Sequence, residues 1–171
     1  MPALEWINER KGKMEIERKF LIDDFPTHLP LLEKAVTQQG YLCTKPVVRI
    51  RKKQVQGKDD TFVLCFKGKG TLARQEVELA LDRATYEQLE ELVPGEMIEK
   101  DYRVYGLPNG LRLECSLVDP GKETSFFYAE VEFETVEQAH AFVPPAFLGR
   151  DVTEEDYGMA RYWEKTRLHL L

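Results

Sequence analysis

Met14-Glu15-Ile16-Glu17-Arg18-Lys19-Phe20 places Glu15, Glu17 and Lys19 two residues apart within a segment that reads as a strand. Residues two apart in a strand share a face. One side of this element therefore presents two carboxylates and an ammonium, while Ile16, Phe20 and Ile22 on the other side call for burial.

The same style recurs downstream. Val47 to Lys53 and Thr61 to Lys67 read as strands joined by the hairpin composition Gly57-Lys58-Asp59-Asp60. Gly68-Lys69-Gly70 reads as a turn, since it lacks the length and the following Ser or Thr of a phosphate-binding loop. Ala73 to Leu81 then resumes strand alternation, and Asp82 caps a helix predicted to run through about Leu92. Ile98 to Tyr105, Leu111 to Val118 and Phe126 to Glu134 read as further strands, separated by Leu107-Pro108-Asn109-Gly110 and Asp119-Pro120-Gly121. Leu29 to Gln39 carries Leu29, Leu32, Ala35 and Val36 at helical spacing, with Gly40 as its stop, so a helix is predicted there. Thr135 with Gln138 resembles a capping box for a short helix ending at Pro144-Pro145, and Thr153 is predicted to start the last helix. Roughly eight strands and a few short helices make the class α+β with a mainly antiparallel sheet.

The charged face repeats from strand to strand. Glu15, Glu17 and Lys19 are matched by Arg49 and Arg51, Lys67, Arg74 with Glu76 and Glu78, Lys100, Arg112 with Glu114, and Glu130, Glu132 and Glu134. Opposite faces hold Val48 and Ile50, Phe62, Leu64 and Phe66, Val77 and Leu79, and Val131 and Phe133. A closed sheet can place the charges outside in water, or inside a wide barrel whose apolar exterior is covered by helices. The pattern alone leaves both arrangements open.

Composition narrows the class. The chain has 171 residues, 43% of them hydrophobic and 32% charged, with a net charge of -6. That suits one compact domain and gives no basic excess for duplex nucleic acid. Three isolated cysteines, Cys43, Cys65 and Cys115, match no metal-ligand spacing and suggest a reducing compartment. Residues 1–13 read as a polar extension ahead of a domain spanning 14–171, with no run apolar enough for a signal peptide or membrane span. A cytoplasmic protein is expected. A second copy covering exposed apolar strand faces would give a homodimer.

Several blocks now line up in order: Glu15-Ile16-Glu17-Arg18-Lys19-Phe20, Gln39-Gly40-Tyr41-Leu42, Val48-Arg49-Ile50-Arg51, Phe66-Lys67-Gly68, Arg74-Gln75-Glu76-Val77-Glu78, Ile98-Glu99-Lys100, Ala129-Glu130-Val131-Glu132 and Leu148-Gly149-Arg150-Asp151-Val152-Thr153. Together they resemble the CYTH superfamily, the triphosphate tunnel metalloenzymes, in a bacterial form. The resemblance implies an eight-stranded antiparallel β-barrel around a hydrophilic tunnel with short helices outside. It also implies an enzyme that hydrolyses or rearranges a triphosphate with a divalent metal, and it decides for charges inside.

Under that implication Glu15, Glu17, Glu130 and Glu132 are the metal candidates, with Glu76 and Glu78 as further ones, and Mg²⁺ or Mn²⁺ as the ion, since hard cations take oxygen ligands. Arg49, Arg51, Lys67, Arg74 and Lys100 would grip phosphate oxygens. Lys19 and Lys100 would stabilise the leaving diphosphate. Inorganic tripolyphosphate is the expected substrate. The alternatives are an adenylate cyclase, a nucleoside or thiamine triphosphatase, and a non-catalytic polyphosphate-binding module.

Two positions depart from the family pattern. Arg103 follows Lys100 by three rather than two, which puts it on the opposite face, and Ser116 follows Glu114 where relatives carry an acid. His28, His140 and His169 share no ligand spacing and read as surface residues. Phe126, Phe127 and Tyr128 read as wall packing, while Tyr41 and Tyr157 are candidates to reach the tunnel.

Overall fold

A computed structural model describes residues 13–170. The extension read over residues 1–13 therefore lies outside the described residues, except for Lys13, which already belongs to the first strand. Eight strands form a closed antiparallel barrel: β1 (Lys13–Leu21), β2 (Leu31–Thr44), β3 (Val47–Val55), β4 (Thr61–Lys67), β5 (Ala73–Leu81), β6 (Ile98–Gly106), β7 (Arg112–Val118) and β8 (Phe126–Glu132). Around the barrel they run β1, β5, β4, β3, β2, β6, β7, β8. Among the described residues three helices accompany them: α1 (Arg83–Glu90), α2 (Val136–Ala141) and α3 (Met159–Thr166). No helix among the described residues is long and apolar enough to cross a membrane.

The segment predicted as the first helix is a strand, β2. Its apolar residues at helical spacing do not share a buried face: Leu31, Leu32 and Val36 are exposed, whereas Ala35, Thr37, Gln39 and Tyr41 are buried at every second position. Period two wins because β2 pairs along its length with both β3 and β6, which satisfies its backbone on both edges. Gly40 is not a helix stop. A Cβ there would come within 2.5 Å of Met97 Sδ and 2.8 Å of Val93 Cγ1, so glycine lets the segment after α1 press onto the strand.

The cap predicted for α1 is present, with Thr85 N donating to Asp82 Oδ1 at 2.7 Å. Gln138 N likewise donates to Thr135 Oγ1 at 3.1 Å at the start of α2. The last helix begins at Met159, not at Thr153. The Thr153 hydroxyl instead donates to Asp151 Oδ1 at 2.5 Å and accepts from Lys19 N at 3.0 Å, tying the loop to β1.

The apolar core lies mostly outside the barrel wall, in separate patches. On one side Ile16, Phe20, Leu113, Ala129, Val131 and Phe133 meet Ala139 of α2. On another, Ile50 and Phe62 meet Tyr86 of α1. At one end, Tyr41, Ile98, Val118 and Tyr128 meet Met159 and Trp163 of α3. Arg18 shows why the acidic strand sits so firmly: its Nη1 donates to the carbonyls of Ala139 at 3.0 Å and Phe142 at 2.7 Å, closing the C-terminal end of α2. Its Nη2 also reaches Asp151 at 2.8 Å.

Helix α3 is locked to the β7–β8 turn by a buried ion pair. Arg167 donates to both carboxylate oxygens of Asp119, at 2.6 and 2.9 Å, and the Tyr162 hydroxyl adds a bond of 2.6 Å.

Candidate active site in the barrel

The charged faces point inward. Glu15, Glu17, Lys19, Arg49, Arg51, Lys67, Arg74, Glu76, Glu78, Lys100, Arg112, Glu114, Glu130, Glu132 and Glu134 all line one cavity of about 1190 Å³. Every charged residue assigned to the repeating face is therefore in one place, because strand alternation inside a closed antiparallel sheet leaves each of these positions on the lumen side.

Register sets which groups meet. Glu15 lies opposite Arg74, and Lys19 lies opposite Glu130. Lys67 Nζ is 2.9 Å from Glu15 and 3.2 Å from Glu76, and Arg74 Nε is 3.2 Å from Glu15. Lys19 Nζ is 3.1 Å from Glu130, and Arg51 lies 3.7 Å from Glu78. Glu132 sits further toward solvent, its side chain 48% exposed and 3.8 Å from Lys13. Among the described residues, Glu76, Glu78 and Cys65 also bring ligand atoms within 4.8 Å of one another.

Three buried carboxyls crowd one another, and their protons separate accordingly. Burial pushes Glu17 up, the neighbouring carboxylates Glu130 and Glu15 push it further, and it reaches about 8. Burial would also raise Glu130, but the ammonium groups around it, Lys19 foremost, outweigh that and hold it at about 2. Glu15 likewise stays low despite its burial, because Lys67 and Arg74 face it. Lys100 falls well below the ordinary lysine value, through burial and then the nearby cations Arg49, Lys19 and Arg51.

Arg49 and Lys100 are buried without a carboxylate partner. Arg49 is 8% exposed and Lys100 is 7% exposed. Among the described residues neither has a carboxylate within ion-pairing distance, and Arg49 Nε has no hydrogen-bond partner. A buried cation without an acid is costly unless an anion arrives to pair with it.

Other expectations resolve as follows. Arg103 lies on the outer face, held by Asp101 at 2.8 Å and stacked 3.9 Å over the Phe25 ring. Tyr102 takes the inward position on β6, and its hydroxyl bonds Glu114. Ser116 is inward and buried. Tyr41 lines the cavity, whereas Tyr157 lies outside it and accepts from Arg150 at 2.9 Å. Tyr128 is more than wall packing: its hydroxyl accepts from Lys100 Nζ at 2.5 Å and its ring lies 4.8 Å from Lys19 Nζ. Thr37, Gln39 and Tyr102 also line the cavity and had no place in the sequence-based site. The alternation Ala35, Thr37, Gln39, Tyr41 was the available signal for the first two.

The donor set fits a hard divalent ion. Glu15, Glu17, Glu130 and Glu132 offer oxygen only, two from β1 and two from β8, which pair directly. Glu17 keeps its proton at neutral pH in the free protein, and a carboxylate ligand must give its proton up. Mg²⁺ binding at pH 7 should therefore release roughly one proton, and apparent affinity should climb as pH rises toward 8. Calorimetry in buffers of different ionisation enthalpy measures this, and a pH-independent affinity with no proton release removes Glu17 from the ligand set.

No protein-family model matches the chain. It is similar to an inorganic triphosphatase of Nitrosomonas europaea, 36% identical over 142 residues, which covers 82% of this chain and 90% of that protein. The crystal structure of the inorganic triphosphatase NE1496 superposes with a TM-score of 0.60 at 30% identity, over 86% of this chain and 93% of that one. A putative adenylyl cyclase from Hippeastrum, described as having a dominant triphosphatase activity, shares the fold with a TM-score of 0.54 at 16% identity, over 74% of this chain and 82% of that one.

Proposed function

The chain belongs to the triphosphate tunnel metalloenzymes of the CYTH superfamily, and from that membership we propose that it hydrolyses inorganic tripolyphosphate to diphosphate and phosphate with Mg²⁺ or Mn²⁺. The observation that carries the reading is Arg49, a buried cation without a carboxylate partner, beside a carboxylate cluster in one cavity. A triphosphate carries about four negative charges and would be repelled by carboxylates alone.

In the mechanism, Arg49, Arg51, Lys67 and Arg74 hold phosphate oxygens, the Arg side chains by their planar forks and Lys67 as a point charge. Glu15, Glu17, Glu130 and Glu132 hold the cation, with Glu76 and Glu78 available for a second. When bound, the ion neutralises phosphate charge and makes water more acidic. Lys19, fixed against Glu130 and the Tyr128 ring, meets the charge that develops on the departing diphosphate. Burial and the nearby cations lower the pKa of Lys100 and so favour its neutral amine, which is placed to accept the proton of the attacking water.

Lys100→Arg discriminates this role from simple charge. A guanidinium is always charged and cannot accept a proton. We expect kcat to fall by about 10²-fold, in the range of general base catalysis. Unchanged kcat would return Lys100 to phosphate binding alone.

A second reading, a nucleoside or thiamine triphosphate as substrate, is favoured by one feature. Leu111, Phe133 and Phe142 line the same cavity beside Asn109 and Gln138, an apolar shelf with amides that a bare polyphosphate does not use. The deciding experiment measures phosphate release from tripolyphosphate, ATP, thiamine triphosphate and diphosphate, with metal and with chelator, and checks for cyclic AMP. Preference for tripolyphosphate is expected. Equal and feeble activity on all four would favour a binding module. The cysteines are free, in keeping with a cytoplasmic setting. A homodimer would cover the exposed Met14, Phe66 and Leu79 on adjacent strands β1, β4 and β5.

A further inference from the structure

Strand alternation sets one thiol among the charges of the inward face. Cys65 of β4 lies directly opposite Arg49 of β3 and Glu78 of β5, and Glu76 is the neighbouring inward residue of β5, opposite Lys67. The thiol is free and 1% exposed, and among the described residues no hydrogen bond engages its sulfur. That sulfur and one carboxylate oxygen from each of Glu76 and Glu78 come within 4.8 Å of one another. A buried, unbonded donor atom thus points into a pair of carboxylates.

The spacing suits a small tetrahedral cation. Zn²⁺ with bonds of about 2.3 Å to sulfur and about 2.0–2.2 Å to carboxylate oxygen holds such atoms about 3.5 Å apart, so the three need to close by only about 1 Å. The ion pairs around them leave room for that movement. Lys67 reaches Glu76 at 3.2 Å but also holds Glu15 at 2.9 Å, so it stays paired when Glu76 turns, and Arg51 stands 3.7 Å from Glu78, beyond hydrogen-bond length. Both carboxylates line the cavity, so a fourth position on the ion would face the lumen and its water.

We propose that Cys65, Glu76 and Glu78 form a site for a thiophilic divalent cation, with Zn²⁺ as its occupant, distinct in ligand chemistry from the all-oxygen set Glu15, Glu17, Glu130 and Glu132. A thiolate selects Zn²⁺, whereas carboxylates suit Mg²⁺ and Mn²⁺. On binding, the thiol gives its proton to solvent and the sulfur takes the metal bond. The site itself rests on the three converging ligand atoms. Its effect rests on the triphosphatase reading: a Zn²⁺ ion there takes Glu76 and Glu78 from a second hard cation, and so inhibits hydrolysis.

Cd²⁺ is the probe for the sulfur, because a cadmium–thiolate bond gives an ultraviolet charge-transfer band that carboxylate ligands do not. The full chain carrying Cys43→Ala and Cys115→Ala, in which Cys65 is the remaining thiol, should show the band with stoichiometric Cd²⁺ and keep it in excess Mg²⁺. Adding Cys65→Ser should abolish the band and raise the Kd for Zn²⁺ by about 100-fold, the upper end of what losing even a group that supports a ligand brings. Cys65→Ala, which buries no hydroxyl, should do the same, with circular dichroism checking that both variants are folded. In Mg²⁺, Zn²⁺ should inhibit tripolyphosphate hydrolysis by the wild type at concentrations that leave Cys65→Ser active. No band in the protein that retains Cys65, or a Zn²⁺ Kd unchanged in both Cys65 variants, overturns the site. Should the protein turn over no triphosphate while the band forms and depends on Cys65, the site stands and the hydrolase reading falls. Turnover without the band gives the reverse.

Discussion

Glu130→Gln is expected to lose about 10³-fold in kcat/KM on tripolyphosphate, equivalent to about 4 kcal/mol of transition-state stabilisation. Glu130 is the carboxylate most firmly held in its ionised form, at about 2, with the Lys19 ammonium 3.1 Å away. The amide keeps the shape and removes the charge, so it weakens the cation site and leaves Lys19 without its anion. In the proposed mechanism both effects act on the reacting phosphate, since there Lys19 meets the departing diphosphate. Mg²⁺ binding should weaken in parallel by calorimetry, while the far-ultraviolet circular dichroism stays that of a folded barrel. Wild-type turnover in this variant would remove Glu130 from the metal site.

Arg167→Ala carries the largest expected effect on stability, a loss of about 3–5 kcal/mol, the usual result of leaving a buried partner charge unpaired. Asp119 is 2% exposed and would keep its carboxylate against only the Tyr162 hydroxyl and the Glu99 amide. For a chain of this size the melting temperature should fall by about 10 °C. Removing both partners, in Asp119→Ala with Arg167→Ala, should cost less than the two single losses added, because no uncompensated charge remains. Acid gives a second readout. Burial would raise the Asp119 carboxyl, but the Arg167 and Tyr162 hydrogen bonds outweigh it and hold it below the usual carboxylate range. Its contribution is therefore complete above about pH 4, the ordinary Asp value, and fades as pH drops through the lower folded value. The Arg167→Ala protein should accordingly show a flatter loss of stability in acid. A melting temperature within about 2 °C of wild type, less than 1 kcal/mol, would contradict this account.

The sequence disclosed the charged faces of the cavity better than it disclosed the strand beside them. Glu15, Arg49, Lys67, Glu76 and Glu130 share one cavity because period-two charge, visible on each strand, puts them on one face, although the family resemblance and not the pattern chose the inward side. The strand β2 was hidden for the converse reason. Its inward residues, Ala35, Thr37, Gln39 and Tyr41, are small or neutral, and its outward Leu32 and Val36 are apolar but uncovered, so neither face announced itself and the leucines fell by chance at helical spacing. The Arg167–Asp119 lock was equally silent, since a pair separated by 48 residues leaves no periodic trace. Tyr128 packs in the wall as read, and the sequence had no way to show that its hydroxyl also bonds Lys100.

A wall whose grease lies mostly on the outside separates two jobs that most enzymes must share. The outward patches under α1 and α2, the α3 patch at one end and the strand ladders keep the molecule folded, so exchanges along the charged part of the lumen alter what is admitted more readily than they unseat the architecture. Selection can therefore retune the passenger, from a bare polyphosphate to one with an organic tail, by editing inward side chains one at a time, with little debt to thermal endurance at each step.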